Sequence, residues 1–486
     1  MVIFSKILTG GHKMKRLVCF IISLLILAGG LLTSCKRPET EDPVDNDEPQ
    51  TLKPYTATAE EMVEATESFE GNQLLRGIWV TPRLRAKDSQ ETYDEEYRKV
   101  KEAGVNMVFT YDELNYKTSM EKLLSACEKN GIKVMISLAR ISSEAEIKFN
   151  VKKVELYDSN PVVIGYNLMD EPNTSSFELL GKEYQAVREK CSPDKIIMIN
   201  FFPNYANAEQ LGVENSDNPY RDYLKKYFEV SRSDVVSFDY YPYRSDPAGD
   251  DNLIAKALTN MQEIVRAESY SDAEGCWGFV QSGEWSGTRT PKLGELRFIS
   301  HLHLLFGFKA FTYFLYVTPI DGETAEGFFK GLVEYDGTIR DTYGLVKQTA
   351  EEIDGMKGVY LDYDFTGLMY DKIPESYISE IQEDYDLVKN PKGPFTSIKA
   401  SGESGIIAGY FEKGISKQGL YVLNNDRYYD QSATVTLSGL MEYRVWCENG
   451  IEQMGAANGI TVELRSGEAK FIEVFVKDQA SLPSLR

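Results

Sequence analysis

The chain has 486 residues, 53 Lys and Arg against 75 Asp and Glu, and a net charge of −22 at pH 7. That acidic balance argues against a nucleic-acid groove, which needs clustered cations to neutralise phosphate, and a hydrophobic share of 42% excludes wholesale disorder. Only three histidines exist, His12, His301 and His303, so Ser-His-Asp or Cys-His catalysis and multi-histidine zinc sites are disfavoured, and acid–base chemistry falls to carboxylates.

In chain order, the first element is an address. Lys13, Lys15 and Arg16 precede the apolar run Leu17 to Leu32, which is shorter than the roughly 20 residues a membrane-spanning helix needs and matches a signal segment. It ends in Leu32-Thr33-Ser34-Cys35, which resembles a bacterial lipobox. The resemblance implies that residues 1–34 are a signal peptide and that Cys35 carries the lipid anchor. Cleavage there would remove four basic residues and no acid, leaving the mature chain still more acidic. Residues 35–72 read as an acidic tether: the stretch KRPETEDPVDNDEPQTLKP is almost free of apolar residues. It is similar to the tethers of surface-exposed Bacteroidetes lipoproteins, which implies a lipid-anchored protein of the bacterial cell envelope.

From Leu74 the pattern alternates. Apolar, β-branched or aromatic runs occur at 75–81, 105–110, 133–139, 162–169, 196–202, 234–240, 276–281 and 310–316. Amphipathic helical patterns follow at 92–103, 119–130, 143–157, 176–191, 220–229, 253–268, 292–306 and 343–356. Strands that are apolar nearly throughout suit a parallel sheet covered on both faces, and eight strand–helix units predict a (β/α)₈ TIM barrel over 73–357. No Gly-rich phosphate loop follows the first strand, which weighs against a doubly wound sheet. Beyond Gly358, alternating runs at 406–411, 419–424, 433–438, 442–447 and 460–475 are separated by Gly, Asn and Asp. They predict an all-β, sandwich-like domain over 358–486. Cys127, Cys191, Cys276 and Cys447 form no CxxC pair and read as single buried thiols, with no metal site.

A barrel of this kind builds its site at the C-terminal ends of its strands. Those ends present Trp79; Tyr111; Arg140; Asp170, Glu171 and Asn173; Asn200; Asp239 and Tyr241; Gln281, Glu284 and Trp285. The fourth strand, NPVVIGYNLMDEPN, runs from apolar packing directly into two acids, and such surroundings raise a carboxyl pKa and suit a general acid. The aromatic residues offer flat faces for sugar rings, and the rim cations Arg83 and Arg140 could orient carboxylates or bind an acidic sugar. His301 and His303, two residues apart within a helix, do not share a face and read as structural.

Here the chain resembles the clan A glycoside hydrolases, (β/α)₈ enzymes whose acid/base Glu ends strand four in an Asn-Glu-Pro motif and whose nucleophile Glu ends strand seven. The likeness covers residues 74–357 and is carried by NPVVIGYNLMDEPN, SFDYYPY and CWGFVQSGEW. It implies Glu171 as acid/base, with Asp170 standing where the clan has Asn. Strand seven ends at Gln281, so the nucleophile is expected at Glu284, three residues beyond, with Asp239, another residue or none as the alternatives. A separation of about 5 Å from Glu171 would mean retention and about 6.5–9.5 Å inversion. Trp79, Tyr111, Asp170, Asn173, Asn200, Asp239, Tyr241, Gln281 and Trp285 are expected to bind a carbohydrate substrate. No cofactor or metal is required, no nucleic acid is expected, and the sequence assigns no oligomeric state. The rival reading is a non-catalytic, surface glycan-binding lipoprotein on a degenerate barrel, motivated by Asp170 and the displaced strand-seven acid.

Overall fold

A computed structural model describes residues 53–54, 74–110, 113–213, 216–285, 287–318, 329–382, 392–414 and 416–477. Its centre is a closed barrel of eight parallel strands. These are β1 (Leu75–Ile78), β2 (Met107–Phe109), β3 (Lys133–Ser137), β4 (Val163–Asp170), β5 (Ile196–Phe201), β6 (Val236–Asp239), β7 (Cys276–Gln281) and β8 (Ala310–Phe314). β8 pairs with β1, Ala310 opposite Leu75, and closes the ring.

The helices between strands are α1 (Gln90–Glu102), α2 (Lys117–Asn130), α3 (Glu144–Tyr157), α4 (Phe177–Arg188), α5 (Pro219–Val230), α6 (Asp250–Ser269) and α7 (Leu293–Leu305), with α8 (Asp341–Asp354) after β8. Local chemistry sets their ends. Ser89 caps α1 by accepting from the Thr92 amide. α2 stops at Gly131, whose φ of 63° is left-handed and costs glycine nothing.

The period of two divides each strand between two cores. Val108, Val134, Ile136, Ile197 and Ile199 join the large core shared with the helices. Met107, Phe109, Met135, Met198, Trp277 and Phe279 form a separate cluster that fills the barrel. Gly165 on β4 is backed by the Ile196 carbonyl, where a Cβ would sit 2.0 Å from that oxygen. A side chain there would force β4 and β5 apart.

Seven further strands form the antiparallel C-terminal domain: β9 (Asp364–Asp371), β10 (Phe395–Ala400), β11 (Ile406–Lys413), β12 (Lys417–Asn424), β13 (Gln431–Cys447), β14 (Gly450–Leu464) and β15 (Ala469–Lys477). They run in the order β9-β11-β12-β15-β13-β10, with β14 on β13, and wrap a core of their own that includes Met369, Ile398, Leu420, Val435, Ile460 and Ile472. Two details differ from the sequence reading. The runs 433–438 and 442–447 are one long strand, because the irregularity between Thr436 and Met441 is absorbed as a shift in register. The run 460–475 is two strands, broken at Gly467 with φ 66°. β9 and β10 were not anticipated. A two-residue strand, Lys53–Pro54, inside the segment read as tether, pairs with Val476 and Lys477 of β15.

The two halves share a continuous core. His301 of α7 meets the Tyr421 hydroxyl of β12 through Nδ1 at 2.6 Å, and Arg297 of α7 is bound by Glu352 of α8 at 2.7 and 2.8 Å. Both His301 and His303 are fully buried, and burial lowers each to a pKa of about 4. The four cysteines of the described chain are free thiols.

Candidate active site

The fourth, fifth and sixth strands bring one set of side chains together. In register, Asp170 lies opposite Asn200, and Asn200 opposite Ser237. Asp239, two residues along β6, points to the same face as Ser237. The Asn200 amide nitrogen donates to Asp170 at 3.1 Å and to Asp239 at 3.2 Å, while its oxygen accepts from Ser237 at 3.0 Å. Asn200 is 2% exposed, so one buried amide organises two carboxyls.

Glu171 follows directly. Its φ of 46° is left-handed, a backbone shape rare for a residue with a side chain, and its amide donates to the Asn200 carbonyl at 2.8 Å. Pro172 then leaves the strand, and its carbonyl accepts from Tyr223 at 2.8 Å. This turn sets the Glu171 carboxyl beside Asp239. Burial, then the charges of Asp239 and Asp170, push Glu171 well above the usual carboxylate range, and a hydrogen bond to Asp239 acts the same way. Burial and Asp170 likewise raise Asp239 to about 8, although bonds from Asn200, its own amide and Glu171 relieve part of the shift. Burial also raises Asp170, against the Asn200 bond and the Arg140 charge. Three carboxyls this close cannot all ionise, so the centre holds protons at neutral pH.

Aromatic residues wall the site. Tyr241 meets Trp285 edge-to-face at 4.8 Å, and Phe314 packs against both, at 5.3 and 5.0 Å. Trp79 packs on Phe109 and Phe279 at the head of the barrel core. Tyr205 leans on Tyr240 at 5.1 Å, and the Arg244 guanidinium lies 5.5 Å from its ring. Burial and the charges of Asp239 and Glu171 raise the Tyr205 hydroxyl, which places it at the same centre.

Two expected residues, Gln281 and Asn173, are spent on backbone groups instead. Gln281 is fully buried, and its amide is consumed by the backbone: it donates to Tyr243 and Arg289 carbonyls at 3.0 and 2.8 Å and accepts from the Tyr243 amide at 2.9 Å. Asn173 caps the turn after β4, accepting from Ser175 and donating to Glu209 and Gln210 carbonyls. Glu284 and Trp285 form a short ribbon with Phe329 and Lys330. Glu284 pairs with Lys330 and accepts from Thr290 at 2.9 Å; these bonds outweigh burial and hold its carboxyl below the usual range. Tyr111 and Cys35 lie outside the described residues. Tyr205, Arg244 and Lys330 escaped the sequence reading. Tyr205 and Arg244 follow strands five and six closely enough to be found by extending the rim by a few residues, whereas Lys330 carries no local signal. Among the described residues, no cluster of His, Cys, Asp and Glu is arranged to hold a metal.

No protein-family profile and no curated protein sequence matches the chain. Solved structures do match. A cold-adapted beta-galactosidase from Rahnella sp. R3 aligns with a TM-score of 0.55 and 10% identity, over 84% of this chain and 99% of that one. A glycoside hydrolase family 5 protein from Bacteroides vulgatus ATCC 8482 aligns at 0.48 and 11%, over 85% and 92%. A beta-galactosidase from the psychrophilic Marinomonas ef1 aligns at 0.44 and 11%, over 61% of this chain and 63% of that one. The first of these likenesses shows a shared fold, a (β/α)₈ barrel followed in this chain by an antiparallel C-terminal domain.

Proposed function

We propose that this protein hydrolyses a glycosidic bond of an oligo- or polysaccharide, with Glu171 as the proton donor. The observation that carries the reading is the placement of Glu171 at the end of strand four, its carboxyl pushed above the usual carboxylate range by burial and by Asp239 and Asp170, in a site walled by aromatic rings. In this reading Glu171 gives its proton to the glycosidic oxygen as the bond from that oxygen to the anomeric carbon breaks. Glu284, held ionised by Lys330 and Thr290, attacks the anomeric carbon to form a glycosyl-enzyme. Glu171, now a carboxylate, takes a proton from the water that releases the sugar. Groups whose surroundings push their pKa values in opposite directions divide such roles naturally.

A second assignment is favoured by the Glu171–Asp239 hydrogen bond: Asp239 as the working carboxylate, with Glu284 a structural ion pair. Because Asp239 sits near 8, it spends much of its time protonated at neutral pH, which suits a proton-sharing partner better than a nucleophile. The test is a glycan panel incubated with the chain from Lys36 onward and with Glu171→Gln, Glu284→Gln and Asp239→Asn. Equal product from wild type and Glu171→Gln rejects the assigned acid. Rescue of Glu284→Gln, but not Asp239→Asn, by azide with formation of a glycosyl azide identifies the nucleophile. Binding without turnover by wild type favours a glycan-binding role. The same reading puts a lipid on Cys35 and the protein on the bacterial envelope, supported by the signal-like run and lipobox-like end of residues 1–34. Metabolic labelling with a palmitate analogue, lost in Cys35→Ala, is the measurement.

A further inference from the structure

Arginine in this molecule is almost always paired. Arg76, Arg188, Arg221, Arg289, Arg297 and Arg465 are each bound to a carboxylate, as expected where acids outnumber bases. Among the described residues, three arginines make no ion pair and no hydrogen bond through the guanidinium: Arg85, Arg140 and Arg244. All three leave the C-terminal ends of barrel strands, after β1, β3 and β6. Their distribution is the informative point, because an acidic protein that leaves guanidinium groups unpaired on one rim has left them for something else.

Two of them reach the candidate site. Arg140 lies three residues past β3, beside β4, where Ser137 pairs with Asn167 and the Leu138 amide donates to the Asn167 carbonyl at 2.8 Å. It is exposed, and its charge acts on both Asp170 and Glu171 without pairing with either. Arg244 is half-buried against the Tyr205 ring, on the side of the site formed by β5 and β6. Its backbone is fixed by a bond from its amide to Asp250 at 3.3 Å and a bridge to Thr288. A neutral sugar has no use for two unpaired guanidinium groups, one exposed and one half-buried, at its binding site. An anionic group does, since the planar guanidinium matches the two oxygens of a carboxylate or sulfate.

We infer that the substrate is an acidic glycan and that Arg140 and Arg244 bind the carboxylate or sulfate of its sugars at the barrel mouth. The inference rests on the glycosidase reading for the location of the sugar, but its chemistry is a matter of binding. The charge balance agrees: a centre whose acids hold protons, faced by two guanidinium groups, can accept one negative charge without repulsion.

The test separates this inference from the reading it builds on. Binding of uronate-containing and sulfated oligosaccharides to the Glu171→Gln chain is measured calorimetrically, alongside the same fragments after carboxyl reduction or after desulfation. Hydrolysis of the same pairs is followed with the wild type. The expected result is that one of these treatments weakens binding by about 30-fold or more, and which one does so identifies the anion. Arg140→Ala and Arg244→Ala should each lose that preference, and Arg140→Lys should restore part of it. Both side chains are at least partly exposed, so the variants should fold, and melting curves confirm it. Neutral fragments binding as tightly as acidic ones, or unchanged preference in the double Arg→Ala variant, overturns the inference. So does a failure of every acidic fragment to bind. Preferential binding of acidic fragments without hydrolysis sinks the glycosidase reading alone, and hydrolysis with no charge preference sinks this inference alone.

Discussion

Glu171 and Asp239 share a hydrogen bond between the ends of strands four and six, and Asp239 helps push the Glu171 carboxyl above the usual carboxylate range. In sequence α4, β5 and α5 lie between them; the shared Asn200 makes the meeting possible. Because Asp239 raises Glu171, its removal has a definite direction. In Asp239→Asn the Glu171 proton is lost at lower pH, so the alkaline limb of kcat/KM should move down by about one pH unit. Arg140→Ala, which removes a charge that lowers Glu171, should move the same limb upward. A pH profile for each variant checks both, and a common direction would contradict the arrangement.

The same pair predicts a gain in stability. A carboxyl whose folded pKa is raised favours the folded state only while protonated, so its contribution worsens as pH rises from the unfolded value to the folded one. Glu171→Gln should therefore raise the melting temperature at pH 7 while lowering turnover by about 10²–10⁴-fold. At about pH 4 the gain in stability should vanish. Thermal melts at the two pH values measure it.

Lys330 tunes Glu284. Replacing it with Met removes both the bond and the charge that hold Glu284 ionised, leaving burial unopposed. Glu284 then ionises later, and the acid limb of activity should move up by about one pH unit. If Glu284 takes no part in turnover, the profile keeps its acid limb.

Asn200→Ala tests the hub. Asp170 and Asp239 lose a shared donor, and the Ser237 hydroxyl loses its acceptor. The expected cost is about 1–3 kcal/mol for groups left unsatisfied. Denaturant unfolding gives the value, and an unchanged midpoint would show that water replaces the amide.

His301 and Tyr421 join barrel to sheet. Tyr421→Phe should cost about 1 kcal/mol. The His301 pKa is depressed to about 4, so its neutral state supports folding fully above the ordinary value near 6.5, and that support is lost as pH falls toward 4. His301→Gln should remove part of that slope, read as the difference from wild type between pH 7 and 4.5.

Much of the fold is a local property of the sequence. Each barrel strand is apolar for most of its length because helices cover one face and the barrel interior the other, so the eight runs and the helices between them stand out without any knowledge of contacts. Glu171 was legible for the same reason, an acid placed immediately after a buried strand. The long strands of the C-terminal domain were harder: the irregularity after Thr436 and the turn at Gly467 depend on the partner strand, so the pattern there does not mark where strands begin and end. What only the tertiary structure decided is which charges meet. Asp170, Glu171, Asn200 and Asp239 come from three strands or their ends, Glu284 is claimed by Lys330 from the facing strand of its own ribbon, Gln281 is spent on the backbone, and Arg140 and Arg244 are left unpaired. Sequence sets each residue's chemistry, but a proton affinity depends on burial and on charges within a few ångströms, and those neighbours are chosen by the closure of the barrel.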